Sequence, residues 1–65
     1  MMKEHIYEVE VIYRDKDGKQ DRVRDYYRAD RASTAQSKAL FNVKNMRNVS
    51  SARLGSLRDC GNVDD

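Results

Sequence analysis

The sequence contains no proline and no tryptophan, one cysteine, one histidine and no long hydrophobic run. A single cysteine cannot form an internal disulfide, and one cysteine with one histidine cannot supply the ligands of a structural zinc site. No apolar stretch approaches the roughly 18 residues of a membrane helix, and residues 1–5 lead into no hydrophobic segment of the signal-peptide kind. We therefore expect a cytoplasmic protein without membrane contact.

Catalytic motifs are also missing, because the chain has no HExxH, no CxxC and no glycine-rich phosphate loop. His5 and Cys60 are the only candidates for a thiol–imidazole pair, and each lies near one end of the chain. Two exposed, unconnected side chains are the simpler interpretation. A polar chain of 65 residues has little volume from which to build a water-excluding cleft. We expect a protein that is not an enzyme and holds no cofactor and no metal.

The length allows one small domain, and 38% hydrophobic residues against 37% charged ones are enough for it to fold. Charge is unevenly distributed. Residues 1–18 carry three basic and five acidic side chains, residues 19–58 carry ten basic and three acidic ones, and residues 59–65 carry three acidic ones. Eight of the thirteen basic residues are arginine, which suits forked contacts with carboxylate or phosphate.

Residues 6–29 form the clearest pattern, two alternating apolar and polar runs on either side of the tetrapeptide DKDG. Aspartate at the first position and glycine at the fourth predict a type I turn followed by a left-handed glycine, which makes a three-residue hairpin loop with a bulge. Such a loop pairs Asp15 with Lys19 and Val11 with Val23. A two-residue loop would shift the register by one residue and mix the two faces, so we favour the bulged loop.

The second strand of this hairpin carries arginine and tyrosine at alternate positions, which project from the same face. In the favoured register Ile12 lies opposite Arg22, and Glu10 lies opposite Arg24, whose opposite charge supports the register. Asp25, on the apolar face, is the one discordant residue.

From Asp30 onwards the apolar period lengthens, which predicts an amphipathic helix at residues 31–47. Its apolar stripe contains Ala35, Ala39, Leu40, Val43 and Met46. Ser33 and Gln36 match the capping-box pattern, with Asp30 as a rival cap one turn earlier. Lys44 and Arg47 suit the last turn, and Asn48 is a candidate for a left-handed stop after it.

Residues 49–58 are predicted to form a short strand with a bulge at Gly55, although a second helix capped by Ser50 or Ser51 is the alternative. Residues 59–65 show no pattern and are expected to be a mobile acidic tail. The predicted fold is therefore an α+β domain at residues 1–58. It is a small ββαβ unit with a three-stranded antiparallel sheet in the order 2-1-3 and one helix packed on one face. A last strand placed beside the second strand would instead be parallel and would need a right-handed crossover.

The arginine- and tyrosine-rich strand is the candidate binding surface. Arginine with an exposed aromatic ring is typical of protein–protein contacts and also of sheets that bind single-stranded nucleic acid. Glu8 and Glu10 on the same face favour a protein partner, which leaves nucleic acid as the alternative. The outer edge of the second strand could also recruit a strand from another chain, including a second copy. The predicted contact residues are Arg22, Arg24, Tyr26, Arg28 and Ile12.

As a whole the chain resembles very small phage or prophage accessory proteins, in its size, the hairpin DKDGK, the segment YRADRASTAQSKAL at the start of the helix and the lack of catalytic motifs. Such proteins commonly act by binding a host protein or nucleic acid. The resemblance includes no motif from which a role could be assigned to a residue. It implies a non-enzymatic accessory or regulatory protein that works by binding.

Overall fold

The computed structural model describes residues 4 to 62 and shows a three-stranded antiparallel sheet with one helix on one face. The elements in chain order are β1 (His5–Asp15), β2 (Gln20–Ala29), α1 (Ala32–Lys44) and β3 (Val49–Asn62). The sheet order is β2-β1-β3, with β1 antiparallel to both neighbours. The predicted α+β class and strand order are confirmed. Long strands make the molecule elongated, with extents of 44 × 16 × 14 Å.

The hairpin loop has the predicted bulged geometry. The Asp15 amide donates to the Lys19 carbonyl at 2.9 Å, the Gly18 amide donates to the Asp15 carbonyl at 3.0 Å, and Gly18 has a φ of 86°. The Asp15 carboxylate also accepts the amides of Asp17 and Lys19 at 2.9 and 2.8 Å. The resulting register pairs Val11 with Val23, as predicted.

The core lies between α1 and the face of the sheet formed by the odd-numbered residues of β1. Val9 and Val11 are 2% and 1% exposed, and Ala35 and Ala39 of α1 pack against them. Small alanine side chains let the helix backbone approach the sheet closely, whereas Leu40 is only half-buried at the margin. Within the described chain, no helix combines the length and the apolar character that crossing a bilayer requires.

The predicted helix caps are wrong. The N-cap is Arg31, in an extended conformation with φ −149° and ψ 157°, and no side chain in the described part of the protein caps the helix. Ser33 lies inside the first turn, and the Asp30 carboxylate lies 4.0 Å from the guanidinium of Arg31. The connection is short because Ala29 is buried in the sheet and Ala32 already packs against the core. The helix therefore begins before the capping-box serine.

The helix ends at Lys44, not near Arg47, and Asn45 closes it by donating its side-chain amide to the Phe41 carbonyl at 2.7 Å. No non-glycine residue between positions 4 and 62 has a positive φ, so Asn48 is not a left-handed stop. The chain turns early because Val49 must enter the sheet, where it is buried.

That turn is fixed by two backbone hydrogen bonds. The Val49 amide donates to the Met46 carbonyl at 3.2 Å, and the Lys16 amide in the hairpin loop donates to the Asn48 carbonyl at 2.9 Å. Met46, predicted to lie on the apolar stripe, is instead 44% exposed beyond the end of α1.

The predicted last strand is present, with its bulge at Gly55, and the alternative helix is excluded. Val9 pairs with Leu57 and Val11 with Leu54, so β3 has one more residue than β1 between these pairs. The strand continues to Asn62 because the long β1 provides partners that far. Residues 59–62 therefore lie in the sheet and not in a tail, and residues 63–65 lie outside the described part.

Candidate functional site

The face of the sheet that α1 leaves uncovered is called the open face. It is formed by the even-numbered residues of β1 and β2 and by their partners in β3. This register brings the five predicted contact residues to one face. The open face carries six arginines and two glutamates, a net formal charge of +4. Its charged and aromatic members are Glu8, Glu10, Arg14, Arg22, Arg24, Tyr26, Arg28, Arg53 and Arg58.

Glu10 lies at the centre of the open face and is only 7% exposed. Its Oε2 atom is 3.4 Å from Arg22 Nη1 and 3.3 Å from Arg24 Nη2. Its Oε1 atom accepts hydrogen bonds from the Ser56 amide and hydroxyl, each at 3.4 Å. The Ser56 amide, followed by the Arg24 hydrogen bond and the two arginine charges, lowers the pKa of Glu10 despite its burial. Glu10 is thus an ionised anchor for two arginines.

The bulge in β3 makes room for this carboxylate. A Cβ atom on Gly55 would lie 2.6 Å from Glu10 Oε1 and 3.2 Å from both its Cγ and its carbonyl oxygen. A side chain at position 55 would therefore occupy the space of the Glu10 side chain.

The second carboxylate of the open face, Glu8, pairs with Arg58 of β3, whose Nη2 lies 3.4 Å from Glu8 Oε1. Tyr26 is opposite Glu8 in the register and is 60% exposed. Hydrogen bonding to the Glu8 carboxylate, followed by its negative charge, raises the pKa of Tyr26. Its ring is consequently a flat, neutral surface among the arginines at physiological pH.

Three arginines of the open face have no ion pair within residues 4–62: Arg14, Arg28 and Arg53. Arg14 and Arg53 line a groove of about 290 Å³ at the hairpin end of the sheet. This hairpin groove is formed mainly by the open-face residues Ile12, Arg14, Gln20, Ser51 and Arg53.

The outer edge of β2 is partly blocked by its own side chains. Asp15 and Lys19 form a bonded pair, and bonded pairs alternate along an antiparallel ladder, so the amides of Arg22 and Tyr26 point away from β1. Asp21 accepts the first of these amides and Asp25 the second, each at 2.8 Å. The hydrogen bond from the Tyr26 amide explains why an aspartate is present at position 25 on the apolar face. Asp25 is exposed there because it lies at the edge of the sheet.

The two residues considered as a thiol–imidazole pair have different neighbours. His5 Nδ1 lies 3.1 Å from Asp59 Oδ2, and the His5 ring stacks on Tyr7 with 5.8 Å between centroids. The Cys60 sulfur lies 3.9 Å from the Arg58 carbonyl, and no hydrogen bond joins it to His5. The Gly61 amide and His5 lower the pKa of Asp59. Among the residues that the structure describes, no three acidic, histidine or cysteine side chains are grouped as a metal site.

A second, shallower groove of about 430 Å³ lies between α1 and β2, on the opposite side from the open face. Phe41, which is 68% exposed, and Tyr27 provide its apolar part, and Lys38 and Asn42 provide polar groups. It contains none of the sequence-predicted contact residues.

Sequence reasoning missed the contribution of β3, namely Arg53, Ser56 and Arg58. Arg53 lies opposite Ile12 and Arg58 opposite Glu8, and Ser56 donates to Glu10, an arrangement that depends on the extra residue in the bulge. Gly55 marked the bulge, but it did not define which β1 residue would face it.

No family model matches the chain, and the searches of curated proteins and of solved structures gave no match either.

Proposed function

We propose that this protein is a non-enzymatic binding module whose open face binds an acidic segment of a protein partner. The contact residues are the predicted set, with Arg22, Arg24 and Arg28 as partners for carboxylates and Tyr26 as the aromatic contact. Ile12 adds apolar area from β1. The observation that carries the proposal is the anchoring of Arg22 and Arg24 around the buried Glu10.

Anchoring matters because it limits the side-chain entropy that binding would otherwise cost. The two guanidinium groups are held on one side by Glu10, yet their side chains remain 66% and 55% exposed. Each retains donors for a second carboxylate, since a guanidinium has five N–H groups. Tyr26 lies beside them with most of its ring exposed. Arginine and tyrosine in such a position are typical of residues that dominate protein interfaces.

A protein partner is favoured over nucleic acid by the two glutamates. A nucleic-acid strand carries a charged phosphate at every nucleotide, so a strand on this face would bring some phosphates close to the carboxylates of Glu8 and Glu10, which lie among Arg22, Arg24 and Arg58. A protein can instead place carboxylates at the arginines and apolar groups at Ile12.

The partner contacts the open face more than the outer edge of β2, because Asp21 and Asp25 already accept hydrogen bonds from two outward-pointing amides of that strand. Self-association through that edge is correspondingly disfavoured. A cytoplasmic location accords with the exposed free thiol of Cys60, since a reducing compartment keeps such thiols free. An accessory or regulatory role of the phage type remains part of the proposal, on the resemblance alone.

The test uses a short blocked peptide in which glutamate alternates with valine, titrated into isotopically labelled protein. We expect amide shifts along β2 and at Ile12, and the double variant Arg24→Ala/Tyr26→Ala should weaken binding at least about tenfold. The matched control is Arg47→Ala/Phe41→Ala, which also removes one arginine and one exposed aromatic ring, but outside the open face.

A peptide in which lysine replaces glutamate should not bind. Equal weakening by the test and control variants would contradict a defined contact on the open face. Absence of any binding by the glutamate peptide would overturn the proposal.

A further inference from the structure

The open face is divided into two parts with different electrostatics. In its middle, each glutamate has internal partners: Glu10 contacts Arg22 and Arg24, and Glu8 contacts Arg58. At the hairpin end, Arg14 and Arg53 have no ion pair within residues 4–62, and both line the same groove.

The hairpin groove contains the parts of an anion site. Arg14 lies opposite Ser51 in the β1–β3 register and opposite Gln20 in the β1–β2 register, while Ile12 lies opposite Arg53. The residues that line the groove therefore include two arginines, a serine and a glutamine, together with the half-buried Ile12. Of the residues between positions 4 and 62 that line the groove, none carries a carboxylate.

We propose that the hairpin groove binds one carboxylate side chain of an acidic peptide segment, held between Arg14 and Arg53. This inference rests on the proposed function and assigns it an anchoring pocket whose two arginines lie outside the predicted contact set. Each arginine offers a forked pair of donors that matches a carboxylate. Ile12 contacts the aliphatic part of the same side chain or of its neighbour.

The length of the face explains why a peptide is the suitable occupant. From Arg14 to Ile6, which pairs with Arg28, β1 extends about 26 Å at 3.3 Å per residue. An extended acidic segment can thus place one carboxylate in the groove while other residues reach Arg22, Arg24 and Tyr26. A small anion would occupy only the groove.

The experiment titrates the glutamate–valine peptide into the full chain and follows the amides of Ile12, Arg14, Ser51 and Arg53. The test variant is Arg14→Gln/Arg53→Gln, which should weaken the peptide at least about fivefold, since each exposed ion pair contributes modestly. The matched control is Lys44→Gln/Arg47→Gln, which also removes two exposed cationic groups but outside the open face, and it should change affinity less than about twofold because salt screens distant charges. All four side chains are exposed, and unchanged spectral dispersion verifies the fold.

If the test variant and the control lose the same peptide affinity per charge removed, the effect is one of overall charge. That result would overturn the proposal that the groove binds a carboxylate. In that case the proposed function would stand, provided that Arg24→Ala/Tyr26→Ala still weakens the peptide. Inorganic phosphate is titrated in the same way. If it produces the same amide shifts with the same affinity as the peptide, the proposal that a peptide occupies the groove is overturned. A single-stranded oligonucleotide that binds the groove while the peptide does not would overturn both proposals.

Discussion

Gly55 lies against the side chain of Glu10 and leaves no room for a side chain of its own. A Cβ atom at position 55 would lie 2.6 Å from Glu10 Oε1, which is shorter than any normal contact distance. The bulge in β3 that contains Gly55 also presents the Ser56 amide to the same carboxylate. The position of Glu10, and with it the positions of Arg22 and Arg24, therefore depends on a glycine in another strand.

Replacement of Gly55 by alanine should destabilise the fold by about 1 to 3 kcal/mol, as expected for an overpacked site. The added methyl group must displace the Glu10 carboxylate from Ser56. Chemical denaturation of Gly55→Ala, Glu10→Ala and the double variant measures the coupling. Gly55→Ala should lower the free energy of unfolding less when Glu10 is already replaced by alanine. Strictly additive losses in the two single variants and the double variant would contradict the contact.

Stability should fall at acidic pH because the folded state lowers the pKa of Glu10, first through the Ser56 amide and then through Arg24. A carboxyl group with a lowered folded pKa stabilises the fold fully above its ordinary pKa of about 4.3 and loses that contribution as the pH falls through the lowered value. Asp59 acts in the same direction, through the Gly61 amide and His5.

Urea midpoints measured from neutral pH down to about pH 3 test this linkage. Glu10→Gln should be less stable than the parent protein at neutral pH and should lose less stability on acidification. A parallel pH profile for the two proteins would contradict an ionised Glu10 anchor.

Truncation of Val11 to alanine should cost about 2 to 4 kcal/mol, because its side chain is fully buried between the sheet and α1. A chain of this size has only a few kcal/mol of net stability, so the variant should be largely unfolded. Leu40→Ala should cost less, since Leu40 is half-buried. Far-UV circular dichroism with denaturant titration checks both, and equal losses would show that the core is centred elsewhere.

Removal of the two edge carboxylates in Asp21→Ala/Asp25→Ala should promote self-association, because it leaves the outward amides of Arg22 and Tyr26 without acceptors. Analytical ultracentrifugation over a range of concentrations provides the measurement. The control is Glu4→Ala/Asp17→Ala, which removes two exposed acidic groups away from that edge. If both variants associate equally, loss of negative charge alone is responsible.

The hairpin was predictable because its register is local. Asp15 and Gly18 define the loop, and the loop fixes every pair between β1 and β2. The end of α1 was not, since the turn after Asn45 depends on the contact of Asn48 with the hairpin loop. The presence of β3 was predictable, but its register was not, because its pairing with β1 contains three irregularities.

The candidate site was predictable for the residues of β1 and β2 but not for those of β3. Alternation in β2 brought Arg22, Arg24, Tyr26 and Arg28 together, and the loop placed Ile12 beside them. The burial of Glu10 could not be inferred from its own strand, because Gly55 and Ser56 enclose it from β3. Arg53 and Arg58 were missed for the same reason.

The central claim, that the open face binds an acidic protein segment, is tested most directly by the salt dependence of two ligands measured side by side. We predict that the glutamate–valine peptide binds at both low and moderate salt with a shallow decline, because Tyr26 and Ile12 contribute apolar contact. A single-stranded oligonucleotide should not bind measurably even at low salt. The opposite result, an oligonucleotide that binds with the steep salt dependence of phosphate contacts and a peptide that does not bind, would contradict the account.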